Sequence, residues 1–237
     1  MVTRTVELTF GGNATVSTSD APSDQFVQFA LESRIFKDWT SHLDHSFGVS
    51  EIHIQAVDFR GRPSAENVMF IRMRVKATTA PHMQIVELRG GTSGMFVILE
   101  CDGVEYVVLV VQPRLPTGHM YLVELPAGMI DGGTFGGAAA KEIKEELDMT
   151  FAESEMFDLT FNAISIFLSP GLLDERMKIF LVRRHVTKAE LDAMQGKLTG
   201  LRNEGETIKL KIVPLAELLK HTRDAKALAA FALYSSK

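Results

Sequence analysis

The sequence predicts an α/β protein: a mixed sheet between helices, preceded by a small α+β domain of about 90 residues. Three observations carry this. Residues 95–99 and 104–111 are near-continuous apolar runs, the pattern of strands covered on both faces. Helix signals gather late in the chain, with a capping box at Thr187 and Glu190 and an Asp224 before an Ala/Leu-rich run. The first part of the chain instead mixes two short helical stretches with alternating strands. The change of texture falls at residues 88–94, so the expected domains are 1–90 and 91–237.

Taken in order, residues 11–24 read as a polar, flexible lead-in. Ser23 or Asp24 then caps a helix whose apolar positions are Phe26, Phe29 and Ala30. Ile35, Phe36, Trp39 and Leu43 give a second helix its packing stripe. Residues 52–57 alternate as a strand and close on a turn at 58–63. The next strand sets Met69, Ile71, Met73 and Val75 on one face and Phe70, Arg72, Arg74 and Lys76 on the other. That second face suits solvent or a partner subunit. Asp102 and Gly103 make a hairpin turn between the two apolar runs. Later strands are expected at 159–167, 177–182 and 208–213, with Pro214 opening a helix over 214–221.

Composition narrows the function. Of 237 residues, 46% are hydrophobic and 23% charged, the balance of a globular chain. The formal net charge of −5, with no basic stripe, argues against a nucleic-acid polymer as partner. No apolar run reaches membrane-spanning length. A single cysteine, Cys101, forms no intramolecular disulfide and reads as a small core residue. The N-terminus lacks the order of a secretory signal, so the expected location is cytoplasmic, with an organellar leader left open by its Thr/Ser content.

The chemistry is concentrated in residues 126–149. A strand at 121–124 runs into Pro126, Ala127 and Gly128, a Gly-rich turn follows, and then a helix after Gly136 and Gly137. On that helix Glu142, Glu145 and Glu146 fall at i, i+3 and i+4, so three carboxylates share a face at about 3.6 residues per turn. Ala140, Ile143 and Leu147 are expected to form the buried side. Like charges at this spacing destabilise an isolated helix by a few tenths of a kcal/mol per pair, roughly, and a cation between them offsets that. Hard divalent ions take carboxylate oxygens and are shared with substrate phosphates. Two later Gly-containing loops carry further acids: Asp174 and Glu175 with Arg176, and Glu204 with Glu206.

Residues 128–149 resemble the Nudix box, the loop–helix signature of hydrolases that cut nucleoside diphosphates linked to another moiety. Glu142, Glu145 and Glu146 match its three helical glutamates, Ile143 its buried position and Met149 its closing hydrophobe. Lys141 stands where the box has Arg, Asp148 where it has Gly, and the loop is one residue short, so the loop glutamate has no counterpart near Gly133 and Thr134. The similarity extends over residues 26–235 to the plant-type ADP-sugar diphosphatases, through segments 26–39, 52–58, 112–118, 195–202 and 224–226 and the SPG…ER and E-x-E loops.

The resemblance implies a Nudix α/β/α sandwich with a mixed sheet, an N-terminal dimerisation domain, and Mg²⁺-dependent hydrolysis of ADP-glucose or ADP-ribose to AMP and sugar phosphate, with Mn²⁺ as a second usable ion. It further implies metal ligation by the Ala127 carbonyl with Glu142, Glu146 and Glu206. Glu204 is implied as general base, with Glu206, Glu145 and Glu175 as the alternatives; Glu145 is implied as a second catalytic acid that ligates or supports the metal, and Arg114 and Glu175 as substrate contacts. The implied partners are a small nucleotide sugar and a second copy of the chain. Two alternatives stand beside this: a UDP-glucose diphosphatase, and a catalytically weak Nudix fold that binds nucleotide sugars as a dimeric scaffold.

Overall fold

A computed structural model describes residues 3–7, 13–17, 23–130, 135–161, 165–200 and 207–236. The chain forms two compact units, residues 1–90 with 169–175, and residues 91–168 with 176–237.

The first unit is a five-stranded sheet with two helices. β1 (Thr3–Glu7) and β2 (Asn13–Ser17) are followed by α1 (Asp24–Glu32), α2 (Arg34–His42), β3 (Val49–Phe59), β4 (Val68–Ala77) and β5 (Gln84–Leu88), and the strands lie in sequence order. β2 pairs in parallel with β3, so residues 13–17 are a strand and not the flexible lead-in the polar composition suggested. Thr15 and Val16 are β-branched, and pairing with Glu51 and Ile52 gives their backbone its hydrogen bonds. Ser33 breaks the helical run, taking an extended conformation and accepting the Phe36 N–H to cap α2. Ile35 and Phe36 then join Ile52, Ile54, Ile71, Met73 and Leu88 in one core. On β4 the expected alternation holds: Ile71, Met73 and Val75 are buried while Arg72, Arg74 and Lys76 are exposed.

The second unit is a mixed sheet covered by helices on both faces. Its strands are β6 (Thr92–Cys101), β7 (Val104–Arg114), β8 (His119–Glu124), β9 (Ala127–Met129), β10 (Phe157–Asp158), β11 (Ile166–Phe167), β12 (Arg176–His185), β13 (Leu198–Thr199) and β14 (Ile208–Pro214). The main path runs β10–β12–β6–β7–β14–β13, with β8 on β7, β9 on β6 and β11 on β12. β12 and β6 are parallel; the other pairs are antiparallel. The helices are α3 (Phe135–Leu147), α4 (Lys188–Met194), α5 (Leu218–His221) and α6 (Ala225–Ser235). Met95, Val97 and Leu99 of β6 pack with Ile143 and Leu147 of α3, while Phe96 and Ile98 pack with Ala227 and Ala230 of α6. Burial on both faces is why β6 and β7 read as continuous apolar runs.

Four local expectations are corrected. Residues 159–167 are not one strand: Asp158 accepts the Thr160 N–H and hydroxyl, and Phe161 takes a φ of 53°, which turns the chain after β10. Pro214 ends β14, and a short 3-10 turn at Leu215–Glu217 precedes α5, so no helix spans 214–221. α3 starts at Phe135 and so contains Gly136 and Gly137; first-turn N–H groups have no intrahelical partner, which softens the cost of glycine there. Its buried side is Ala139, Ile143 and Leu147 together with Glu146, whereas Ala140 is only partly covered.

Candidate functional site

The site elements begin at the end of β8. Glu124 is its last residue, Leu125 and Pro126 follow, and Ala127 opens β9. β9 pairs with β6, Ala127 opposite Gly94, and α3 lies against β9. This brings β9, with the Ala127 backbone, beside α3 in the second unit. Glu146 is 6% exposed, an unusual setting for a carboxylate, and Glu145 is half-buried. Glu142 is a residue of α3, but its side chain and that of Lys141 lie outside the described residues. Glu204 and Glu206 also lie outside them, in segment 201–206.

The chain entering that segment is fastened to α3. The Thr199 hydroxyl donates to the Glu146 carbonyl, and the Gly200 N–H donates to the Glu145 carbonyl at 3.2 Å. Carbonyls in the last turn of a helix lack intrahelical donors, so these bonds also serve as a cap. One residue further, Asp148 adopts a φ of 53°, the left-handed conformation that glycine usually supplies just past a helix end. Lys197 donates to its carboxylate at 2.7 Å and holds its pKa below the usual aspartate value. The substitution of the box glycine is thus accommodated by a residue type that tolerates this conformation and by an ion pair beside it.

Arg114 ends β7, at an irregularity in the β7–β8 register between Gln112 and Arg114. Such bulges turn a side chain out of the regular pleat. Its Nε donates to Glu124 Oε1 at 2.6 Å, and Lys226 Nζ donates to Glu124 Oε2 at 2.9 Å. Lys226 also donates to Asp224 Oδ1 at 2.9 Å. Burial opposes the charge on Lys226, but the attraction of Asp224 and Glu124 outweighs it and lifts its pKa above the ordinary lysine value. None of the three partners had a site role at the sequence level; Asp224 stood out as a helix start and the segment Asp224-Ala225-Lys226 as a point of resemblance.

Glu175 belongs to the first unit, where it is 5% exposed and takes an Arg89 Nη1–H at 3.3 Å. Beside it, Asp174 accepts the N–H groups of Arg89 at 2.7 Å and Gly90 at 3.2 Å. The segment is further tied by the Glu87 N–H to the Leu172 carbonyl at 2.9 Å. Gly90 has a φ of 80°, and a Cβ there would stand 2.9 Å from Ile35 Cγ2, so glycine is required at this turn.

Among the described residues no three His, Cys, Asp or Glu side chains gather closely enough to hold a metal ion. Nor does any helix among them have the length and apolarity to cross a membrane.

Comparison with known proteins identifies the family. The Nudix-domain profile matches residues 90–232. Nudix hydrolase 14 of Arabidopsis thaliana, a chloroplastic protein, is 36% identical over 92% of this chain and 75% of its own length. The chain therefore belongs to the Nudix family of hydrolases. A nudix hydrolase 2 from Caenorhabditis elegans is 40% identical over 82 residues, 34% of each chain. A solved structure of an ADP compounds hydrolase covers 80% of this chain and 93% of its own at a TM-score of 0.47 and 16% identity.

Proposed function

We propose that this Nudix hydrolase cleaves the diphosphate of an ADP-sugar, ADP-glucose or ADP-ribose, to AMP and sugar phosphate with Mg²⁺. The observation that carries the reading is the fastening of Thr199 and Gly200 to the carbonyls of Glu146 and Glu145. It ties the start of the segment bearing Glu204 and Glu206 to the helix bearing the box glutamates. Thr199 and Gly200, the last described residues before the acids Glu204 and Glu206, are thereby bonded to the last turn of α3, which supports a shared site.

The donors offered by Ala127, Glu142, Glu146 and Glu206 are all carbonyl or carboxylate oxygens, which fits a hard divalent ion, Mg²⁺ or Mn²⁺. Such an ion would neutralise diphosphate charge and lower the pKa of bound water. Water attacks one phosphorus, the bond to the bridging oxygen breaks, and the products are AMP and sugar phosphate. Glu204 is the proposed base that takes the proton from that water, with Glu145 as its support. Arg114 is the proposed contact to substrate phosphate, and Glu175 a proposed acid on the substrate side.

We also propose that the working form is a homodimer built through the first unit. Support comes from β4, whose Arg72, Arg74 and Lys76 face is left exposed beside a well-filled core. Light scattering on the intact chain measures the mass directly, and a monomer at assay concentration would overturn this.

The deciding experiment is a panel of ADP-ribose, ADP-glucose and UDP-glucose with Mg²⁺ or Mn²⁺, with and without excess chelator, scored by nucleotide and sugar-phosphate release. Turnover of the ADP-sugars that chelator abolishes is the expected result. Faster turnover of UDP-glucose would move the reading to that substrate. Binding of nucleotide sugar without any turnover would favour the scaffold alternative, to which Lys141 and Asp148 at box positions lend weight.

A further inference from the structure

The charged cluster around Glu124 does more than the box requires. Glu124 is 2% exposed, and each of its two oxygens receives a different cation, Arg114 from β7 and Lys226 from α6. Asp224 completes the set, giving two anions and two cations, the balance a buried ionic cluster needs. Asp224 is anchored in turn. Its carboxylate accepts the Leu125 N–H at 2.9 Å and the Lys226 and Ala227 N–H groups at 3.3 Å, as the N-cap of α6. Thr222 donates to the Val123 carbonyl at 2.6 Å and accepts the Asp224 N–H at 3.0 Å. Residues 123–125, at and just past the end of β8, are thus held by Thr222, Lys226 and Asp224, from the turn between α5 and α6 and the start of α6.

The two cations are treated differently. Lys226 is sealed in, while the Arg114 side chain is 42% exposed. Among the described residues Arg114 uses only Nε in a side-chain hydrogen bond, and its two terminal nitrogens have no partner there. A cluster serving stability alone has no reason to bring one cation to its rim through a bulged strand and hold it side-on. A guanidinium fixed by Nε presents its terminal N–H groups in a set direction, the geometry that suits a phosphate oxyanion.

We propose that Glu124, held by Lys226 and Asp224, is a positioning residue that fixes the direction of the Arg114 fork for a diphosphate substrate. This rests on the function proposed above, with ADP-ribose as the probe. Glu124 touches no substrate and acts through Arg114, so its loss and that of Arg114 do not add.

The test is a double-mutant cycle of Glu124→Gln and Arg114→Ala, read as KM and kcat for ADP-ribose. Each single variant raises KM by about tenfold while kcat stays within about threefold, and the pair raises KM no further than Arg114→Ala alone. If Glu124→Gln does not fold, Lys226→Met removes the other support of Glu124 and must show the same coupling to Arg114. An equal, additive effect of Glu124→Gln with or without Arg114 would overturn the proposal, as would an unchanged KM in Arg114→Ala. ADP-ribose protection against thermal unfolding gives a reading independent of turnover. Protection without hydrolysis in the parent chain defeats the proposed activity, while the cycle is still decided on the size of that protection. A parent chain that neither binds nor cleaves the probe defeats both.

Discussion

Glu124 and Glu175 are both buried glutamates with an arginine on one oxygen, and they differ in nearly everything that bears on function. Glu124 ends a strand of the second unit, and both oxygens hold close ionic bonds at 2.6 and 2.9 Å. Glu175 ends a loop of the first unit, and its bond to Arg89 is longer, at 3.3 Å. Around Glu175 the neighbouring bonds join backbone to loop: Asp174 to the N–H groups of Arg89 and Gly90, and Glu87 to Leu172. Around Glu124 the bonds end on a half-exposed arginine. The same residue type in the same burial thus sits among loop-anchoring bonds in one unit and beside a half-exposed arginine in the other. What its cation faces distinguishes the two.

The largest effect is expected from neither of them but from Glu146, the third buried glutamate among the described residues. Changing Glu146 to Gln keeps its shape and removes one charge from the α3 acids. Turnover of ADP-ribose should fall at least about a hundredfold, near 3 kcal/mol of transition-state stabilisation. The half-saturating Mg²⁺ concentration should rise with it. A Glu146→Gln enzyme with parental turnover would detach burial at this helix face from catalysis and remove the metal reading.

The next effect sharpens the comparison itself. Glu175→Gln leaves the Arg89 charge without its anion in a largely covered place, so stability should fall by about 2 kcal/mol, seen as a lower urea midpoint. The proposed substrate role adds a rise of about tenfold in KM for ADP-ribose. A lower midpoint with KM unmoved would leave Glu175 as a loop anchor only and overturn that role.

These differences track what a sequence can disclose. The capping box at Thr187, the Asp224 cap and the Asp102-Gly103 hairpin were legible because each is settled by residues within a few positions. So were β6 and β7, whose burial on both faces leaves an unbroken apolar run. The box glutamates declared themselves by helical spacing. Glu124 did not, since its partners stand 10 and 102 positions away and a charge at a strand end looks like ordinary solvated surface. The turn at Asp158 was hidden for a related reason: apolar residues on either side mimic a strand, while one side-chain oxygen bends the backbone. Strand β2 was missed because pairing with β3, not its own composition, orders it.

The smallest effect concerns the residue that breaks the box pattern. Asp148 sits at a φ of 53°, where a side chain carries strain of about 1 kcal/mol and glycine carries none. Its pair with Lys197 is exposed on both sides, and such pairs contribute about 0–1 kcal/mol. Asp148→Gly relieves the first and loses the second, so the net change in stability should stay within about 1 kcal/mol. The pair has one further feature: Lys197 stands just before Thr199 and Gly200, which bond to the Glu146 and Glu145 carbonyls. If those two bonds suffice, Asp148→Gly and Lys197→Met should each keep kcat within about threefold, and their double variant should match the singles. A fall in kcat shared by both singles, with the urea midpoint unchanged, would make the ion pair part of the fastening. The glycine-to-aspartate departure would then be a device of this chain for holding Thr199 and Gly200 to α3.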